Sequence, residues 1–152
     1  MTKDDLLRFC ADRGDIRHYL ADPWSRGDYT YATNGHIIVR NPRLADVPEN
    51  DYAPNTEKLM LSIPPATDWT NVPTVDMPPD KDCVYCNGID VCDDCGGTGK
   101  MPDLSGIALF GTFFAKRYLA LIQGWEIAPN GQKAAWIRTD DADGLLMPRS
   151  GL

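Results

Sequence analysis

The chain has 152 residues and a formal net charge of −7 at pH 7. A chain of this length suits one domain and can bury about two thirds of the surface that its unfolded form exposes. Its apolar stretches fall well short of the ~20 residues that span a bilayer, and residues 1–5 lack the apolar core of an export signal, so we expect no membrane association and a reducing, cytoplasmic location.

The first predicted element is a short helix that begins after Thr2 and ends at about Ala11. Thr2 is a suitable N-cap, the positions after it are acidic, and the next apolar residues recur at helical spacing. Cys10 lies among these apolar residues, and we expect a small buried side chain there rather than a reactive thiol. Gly14 interrupts the pattern, and residues 16–20 then fit a helix or a strand equally well.

A β-hairpin is predicted over residues 29–40. Two runs rich in aromatic and β-branched residues, 29–33 and 36–40, flank the pair Asn34-Gly35. Asn-Gly is the preferred pair for a two-residue type I′ turn, because both positions need a positive φ. We therefore assign Asn34 and Gly35 a conformational role.

Prolines and acidic residues dominate the middle of the chain. Residues 42–79 hold eight of the twelve prolines, and only residues 59–63 are predicted as a strand there. Residues 44–95 hold eleven acidic residues and two lysines, or 2 − 11 = −9, whereas residues 1–43 (7 − 6) and 96–152 (6 − 5) each carry +1. Such an acidic segment repels phosphate, so any contact with DNA is expected from the flanks.

Four cysteines follow within this acidic segment as two Cys-x-x-Cys steps. Each step brings two thiolates to within ~2.3 Å of one ion, so the pair predicts a single structural Zn²⁺. Four thiolates fill the tetrahedron and leave no position for a reacting water, which argues against a catalytic metal. Disulfides and a redox-active pair are the alternatives. Both are less favoured, because residues 1–5 show no export signal and neither Cys-x-x-Cys step begins a helix of an evident βαβ unit. The predicted ligands are Cys83, Cys86, Cys92 and Cys95.

Regular structure is predicted to resume near residue 107. Thr112 is a possible cap for a helix that carries an apolar face and ends at Gly124. Strands are then expected at 125–128 and 134–138, joined by a turn at 129–132, with a last strand at 145–147. Among the tryptophans, Trp125 and Trp136 are expected in the core, whereas Trp24 and Trp69 lie among loop residues and are candidate anchors for a partner.

Four short stretches resemble the bacterial sliding clamp, the β subunit of the replicative DNA polymerase. Residues 15–20 (DIRHYL) and 32–36 (ATNGH) resemble its DVRYYL and ATDGH stretches, and residues 114–119 (FAKRYL) and 145–148 (LLMP) resemble its FNxxYL helix start and closing xxMP strand. The resemblance implies that residues 16–20 form a strand. A clamp subunit joins three such domains, and its pocket for partner peptides lies between domains, so a single domain is not expected to form that pocket alone.

The resemblance implies an α+β fold, with two short helices on an antiparallel sheet. One clamp-like domain would consist of residues 1–63 and 107–152, with residues 64–106 as an irregular, zinc-stapled, proline-rich and acidic insertion. The insertion has no counterpart in the clamp. Its residues 95–99 (CGGTG) resemble the zinc repeats of DnaJ-type chaperones, which implies metal binding alone.

Two hypotheses about function follow, and neither involves an enzyme. In the first, a clamp-like protein of phage or replication type presents the acidic zinc segment to a protein partner. In the second, the domain associates with itself and meets DNA through its helices, where the candidate DNA-facing residues are Lys3, Arg8, Arg13, Lys116 and Arg117. A zinc-dependent enzyme has the least support, because the only histidines, His18 and His36, belong to no recognisable catalytic arrangement, and no small-molecule substrate is evident.

Overall fold

A computed structural model describes residues 1–77, 80–83, 100–101, 105–131 and 133–149 of the chain. Within these residues the fold is α+β, with a seven-stranded sheet in which every named strand pair is antiparallel. The strand order is β1-β2-β3-β11-β10-β9-β4. The strands of this sheet are β1 (Trp24–Arg26), β2 (Tyr29–Thr33), β3 (Ile37–Pro42), β4 (Thr70–Asn71), β9 (Glu126–Asn130), β10 (Lys133–Arg138) and β11 (Asp143–Leu146).

Two small hairpins lie outside this sheet. One pairs β5 (Lys81–Asp82) with β6 (Lys100–Met101), and the other pairs β7 (Gly106–Leu109) with β8 (Thr112–Ala115). The described part of the chain contains three α-helices, which are α1 (Lys3–Leu7), α2 (Thr56–Ser62) and α3 (Lys116–Leu121). None of the described helices is long and apolar enough to cross a bilayer.

The strands bury side chains on both faces of the sheet. Ile37 and Val39 belong to one buried cluster, while Ile38 between them belongs to a second, as the two-residue period of a strand requires. The first cluster includes residues of α1 and α3, and the second includes Met60 of α2. Helices therefore cover both faces, whereas the sequence predicted two helices and left α2 out.

The first helix is capped as predicted but is shorter. The hydroxyl of Thr2 accepts from the backbone N–H of Asp5, and the Asp5 carboxylate accepts from the backbone N–H of Thr2, which is a reciprocal capping box. The helix ends at Leu7 rather than at Ala11. Cys10 is partly buried against the first core cluster, and burial raises the pKa of its thiol to about 12, in keeping with an apolar role.

Three assignments of secondary structure were wrong. Residues 16–20 do not form a strand, because Ile16 is 90% exposed and a 3₁₀ turn spans His18–Leu20. Residues 59–63 belong largely to helix α2, whose N-cap is Asn55, with its Oδ1 accepting from the Lys58 N–H. Thr112 does not cap a helix, since it begins strand β8, and α3 starts only at Lys116.

The hairpin of β2 and β3 is confirmed, but its turn is not the two-residue type I′. Thr33 pairs with Ile38, so four residues separate the paired positions. Gly35 has a φ of 93°, whereas Asn34 is not among the residues with positive φ. Asn34 instead accepts hydrogen bonds from the N–H groups of His36 and Ile37 through its Oδ1, at 2.9 and 3.2 Å, which is how asparagine stabilises a turn.

Part of the predicted insertion joins the main sheet. Strand β4 pairs with β9 through Thr70 and Asn71, and Val72, which follows it, is buried in the first core cluster. Trp69 lies beside this strand, with the guanidinium carbon of Arg138 3.9 Å from its ring centroid. Residues 69–72 therefore pack with the main body, while the boundary of the insertion stays a prediction.

Candidate partner-binding groove

A groove lies at the end of the sheet where the turn between β2 and β3 meets Met147. The backbone N–H of Met147 donates to the carbonyl of His36 at 2.9 Å, which ties the chain after β11 to this turn. Arg17 supports the turn from the other side, where its Nη2 donates to the Asn34 carbonyl and its guanidinium is paired with Asp15. Gly35 has a positive φ of 93°, which favours glycine, and a Cβ there would stand 2.5 Å from Arg17 Nη1, so this guanidinium would have to move.

One half of the groove is apolar and opens beside α2. This apolar pocket has a volume of about 240 Å³. Leu20 and Ile38 form its buried wall, whereas Leu59 and Met147 are 38% and 39% exposed at its rim. The lining residues are Arg17, Tyr19, Leu20, Thr33, Gly35, Ile38, Pro54, Asn55, Thr56, Leu59 and Met147.

The other half is a basic pocket that opens beside α3 and has a volume of about 350 Å³. The ring of His36 stacks on that of Tyr118, with centroids 5.6 Å apart and planes 20° from parallel. The guanidinium carbon of Arg117 lies 4.7 Å from the Tyr118 centroid, and Arg117 also donates to the Tyr118 hydroxyl. The lining residues are His36, Ala115, Arg117, Tyr118, Met147, Pro148 and Arg149, so Met147 belongs to both pockets.

The pKa of His36 is lowered from its ordinary value. Burial is the largest cause, and the positive charges of Arg117 and Arg17 add to it. The imidazole is therefore uncharged at neutral pH. The positive charge of the basic pocket comes from its two arginines.

Behind the Tyr118 ring lies a third cavity of about 380 Å³, the rear pocket. Arg8, Arg17 and Arg117 line it, and so do Asp12 and Asp15. Arg8 is held over the ring of Phe9, with its guanidinium carbon 4.9 Å from the centroid. The two aspartates offset much of the charge of the three arginines.

The structure brings together two of the five residues predicted to face DNA. Arg8 and Arg117 line the rear pocket, whereas Lys3, Arg13 and Lys116 line none of the three pockets of the groove. Arg13 pairs with Asp22 at 2.9 Å on the surface. Only Arg8 and Arg117 of the predicted set therefore meet at one pocket, and the DNA-facing role of the set stays a prediction.

The two candidate anchor tryptophans have different environments. Trp24 was wrongly placed in a loop, because it lies in strand β1, is only 1% exposed and stacks on Tyr31 in the second core cluster. Trp69 is partly exposed and is covered by Arg138. Trp125 is buried at 6% exposure, as expected, and Trp136 packs against the second cluster.

The predicted zinc ligands fall mostly outside the described residues. Cys83 is described and is 2% exposed, next to the β5–β6 hairpin. Cys86, Cys92 and Cys95 lie within 84–99, which the structure does not describe. Among the described residues, no three potential ligands lie together, but this bears on one ligand of the four, and the zinc site stays a prediction.

Several groove residues escaped sequence reasoning. Tyr118 and Leu59 were assigned only to an apolar helix face and a strand, and Arg149 was given no role. One signal was present, because the four stretches that resemble the clamp all contribute to this groove. Leu20, Gly35, Tyr118 and Met147 each come from a different stretch and line one or more of its pockets.

Comparison with known proteins gives no relative. No protein-family model, curated protein sequence or solved structure matches this chain. The likeness to sliding clamps therefore rests on the four stretches and stays a prediction, and any function must be argued from the groove itself.

Proposed function

We propose that this chain is a non-enzymatic binding module whose groove holds an extended segment of a partner protein by an apolar side chain. The observation that carries the proposal is the apolar pocket, where Leu59 and Met147 stay partly exposed beside buried Leu20 and Ile38. An aliphatic side chain that fills such a pocket gains about 1.5–3 kcal/mol from burial. Side-chain pockets of this kind give peptide-binding domains their specificity.

The clamp resemblance supports the same reading. Clamps hold partner peptides in a pocket between domains, and here the four clamp-like stretches surround a groove formed within one chain. The Thr33 hydroxyl in its wall is engaged by the turn, because it donates to the Ile37 carbonyl at 2.7 Å.

The acidic zinc segment would provide a second contact surface. Residues 44–95 carry a formal −9, and in this proposal a structural Zn²⁺ held by Cys83, Cys86, Cys92 and Cys95 shapes part of that segment for a basic surface of the partner. The domain then acts as a scaffold, in an adaptor or inhibitor of a phage or replication system.

A self-associating, DNA-binding clamp-like module is the second candidate. Arg8 and Arg117 favour it, because both line the rear pocket and neither pairs with a carboxylate among the described residues. The β1 edge of the sheet disfavours it. The outward N–H of Ser25 in β1 already donates to the Pro48 carbonyl at 3.0 Å, with Glu49 bridged beside it, so this edge is covered against a second copy.

The test is selection of a displayed library of random nine-residue peptides on the purified chain. We expect the selected peptides to share an aliphatic residue. Leu59→Asp puts a charge into the apolar pocket and should abolish their binding, whereas Leu61→Asp, on the same helix at a position that is 78% exposed and outside the pocket, should leave it intact.

A library that yields no aliphatic consensus, or a consensus that Leu59→Asp leaves bound, would contradict the proposal. The mass of the chain in solution separates the second candidate. A monomer without salt-dependent DNA binding excludes the self-associating module, and a trimer or hexamer with such binding would favour it over the scaffold.

A further inference from the structure

We infer that the partner segment carries a carboxylate beside its apolar anchor, and that the basic pocket binds this carboxylate between Arg117 and Arg149. The inference rests on the proposed function, because it concerns the same groove and the same segment. It adds the chemical class of the partner, which is an acidic and aliphatic peptide.

The apolar pocket and the basic pocket are continuous. Met147 lines both, and the adjacent residues Gly35 and His36 line the apolar and the basic pocket respectively. Neighbouring residues of an extended chain are ~3.3 Å apart along its axis and point to opposite sides. A single short segment can therefore place an aliphatic side chain in one pocket and an acidic one in the other.

Arg117 differs from most arginines of this chain in its ion pairing. Many arginines of this chain pair with one of its carboxylates, as Arg13, Arg17, Arg40, Arg43 and Arg138 do. Arg117 makes no such pair among the described residues and is held instead by the Tyr118 ring and hydroxyl. A guanidinium has five N–H donors in a planar fork that matches a carboxylate, and Tyr118 occupies only part of that capacity.

The wall of the basic pocket favours an anion. Among the described residues, no acidic side chain lines the basic pocket, and Arg117 and Arg149 are the charged ones that do. Ala115, Met147 and Pro148 contribute apolar surface, which reduces the water around a bound anion and strengthens its attraction to the arginines. An acidic group gains from this wall, whereas a basic or neutral one does not.

A carboxylate fits this pocket better than a nucleic acid does. A phosphodiester chain repeats its charge at every nucleotide and needs a row of cations. Beyond the basic pocket the groove continues into the apolar pocket. Arg17 is the one charged residue among the described residues that line it, and Arg17 is already paired with Asp15. The groove therefore matches one or two acidic groups next to an aliphatic side chain.

The library selection described above tests the inference when it is repeated on variants. Selection on the unaltered chain should enrich Asp or Glu at a fixed distance from the aliphatic residue. Selection on the double variant Arg117→Gln, Arg149→Gln should keep the aliphatic residue and lose the acidic one. Arg13→Gln is the matched control, since Arg13 is exposed, lies outside the groove and should leave both preferences unchanged.

One selected peptide then gives the size of the effect by fluorescence anisotropy. Replacing its Glu by Gln should weaken binding to the unaltered chain by about tenfold or more, as expected for a charge-assisted contact. The same replacement should change affinity less than about twofold on the double variant. Replacing Arg117 by Lys instead of Gln should restore part of the preference for Glu over Gln in the peptide, because lysine keeps the charge without the planar fork.

The outcomes separate the two proposals. No aliphatic consensus overturns the proposed function. An aliphatic consensus without an acidic residue, or one whose acidic residue survives in the double variant, overturns the carboxylate site alone. A single-stranded oligonucleotide that displaces the peptide, with Arg117 and Arg149 required, would assign the basic pocket to nucleic acid and also overturn the inference.

Discussion

The two faces of the main sheet differ in how completely they are covered. On the face of α1 and α3, sixteen of the described residues form one buried cluster, whereas six of them form the cluster on the face of α2. Along each strand, successive side chains point alternately into these two clusters, so each strand contributes residues to both faces. The difference lies in the helices, since α2 is one short helix and α1 and α3 pack together with the β7–β8 hairpin.

The less covered face has apolar surface left over. Leu59 and Met147 remain at the rim of the apolar pocket, whereas Tyr118, in the cluster of the opposite face, is only 7% exposed although it lines the basic pocket. The comparison suggests a division of roles, in which the larger core holds the fold and the smaller one holds the aliphatic side chain of the ligand.

The largest effect is expected from Phe114→Ala on the larger core. Phe114 is fully buried in strand β8, and truncation of a buried Phe costs about 3–5 kcal/mol. Urea denaturation measures the loss. Phe113→Ala is the matched control, because its neighbouring side chain is 48% exposed and the change should stay within about 0.5 kcal/mol. Equal losses for the two variants would contradict the assignment of β8 to the core.

A smaller loss is expected from Met60→Ala on the less covered face. Met60 is 2% exposed and anchors α2 in the cluster of six. We expect the free energy of unfolding to fall by about 2 kcal/mol, the lower end of the range for a buried methionine, because a small cluster near the surface can relax into the vacated space. Peptide binding should weaken as well, since α2 also carries Leu59. A loss as large as that of Phe114→Ala would remove the difference between the faces.

Removal of zinc should affect neither face. If Cys83, Cys86, Cys92 and Cys95 hold a structural ion, chelation should release about one zinc per chain and expose the amide hydrogens of the β5–β6 hairpin to exchange. The amides of the seven-stranded sheet should keep their protection. Cys92→Ser should lose the metal, while Cys10→Ser should retain it. Much less than one zinc per chain in the purified protein would remove the site.

The sequence specified the β2–β3 hairpin better than helix α2. The hairpin was predicted because two runs rich in aromatic and β-branched residues flank a pair of turn residues. Residues 59–63 were mistaken for a strand because a short apolar run has no clear period, although Asn55, an N-cap residue, marked the helix start. Trp24 looked like a loop residue because its three-residue strand, beside a proline, is too short for its alternation to be read.

The groove could be predicted only in part. Gly35 was assigned a conformational role because it follows Asn34 in the sequence, and the positive φ of Gly35 agrees with that role. The pairing of Tyr118 with His36, by contrast, joins a helix and a turn 82 residues apart in sequence, and no local pattern encodes such a contact. Arg149 likewise reaches the pocket because its backbone N–H donates to the Phe113 carbonyl at 2.7 Å.

The smallest effect is the pH dependence that His36 confers at the boundary between the two faces. Several charged or titratable groups line pockets with it, namely Arg8, Asp12, Asp15, Arg17, Arg117, Tyr118 and Arg149. Burial and the charges of Arg117 and Arg17 keep the pKa of His36 below its ordinary value. The unfolded chain, with a histidine pKa of about 6.5, therefore binds more protons than the folded chain, so this contribution to stability is present above about pH 6.5 and declines as the pH falls below it.

His36→Gln isolates that contribution. The stability difference between pH 7.5 and pH 5.5, from urea denaturation, should be smaller in the variant than in the unaltered chain, because the carboxylates that titrate elsewhere are common to both. A bound acidic peptide should reverse the sign, since a carboxylate beside His36 raises the pKa of the imidazole and binding then takes up a proton. Peptide affinity should accordingly rise as the pH falls from 7.5 to 5.5. If His36 instead titrates at its ordinary pKa both with and without the peptide, the carboxylate does not bind in this pocket.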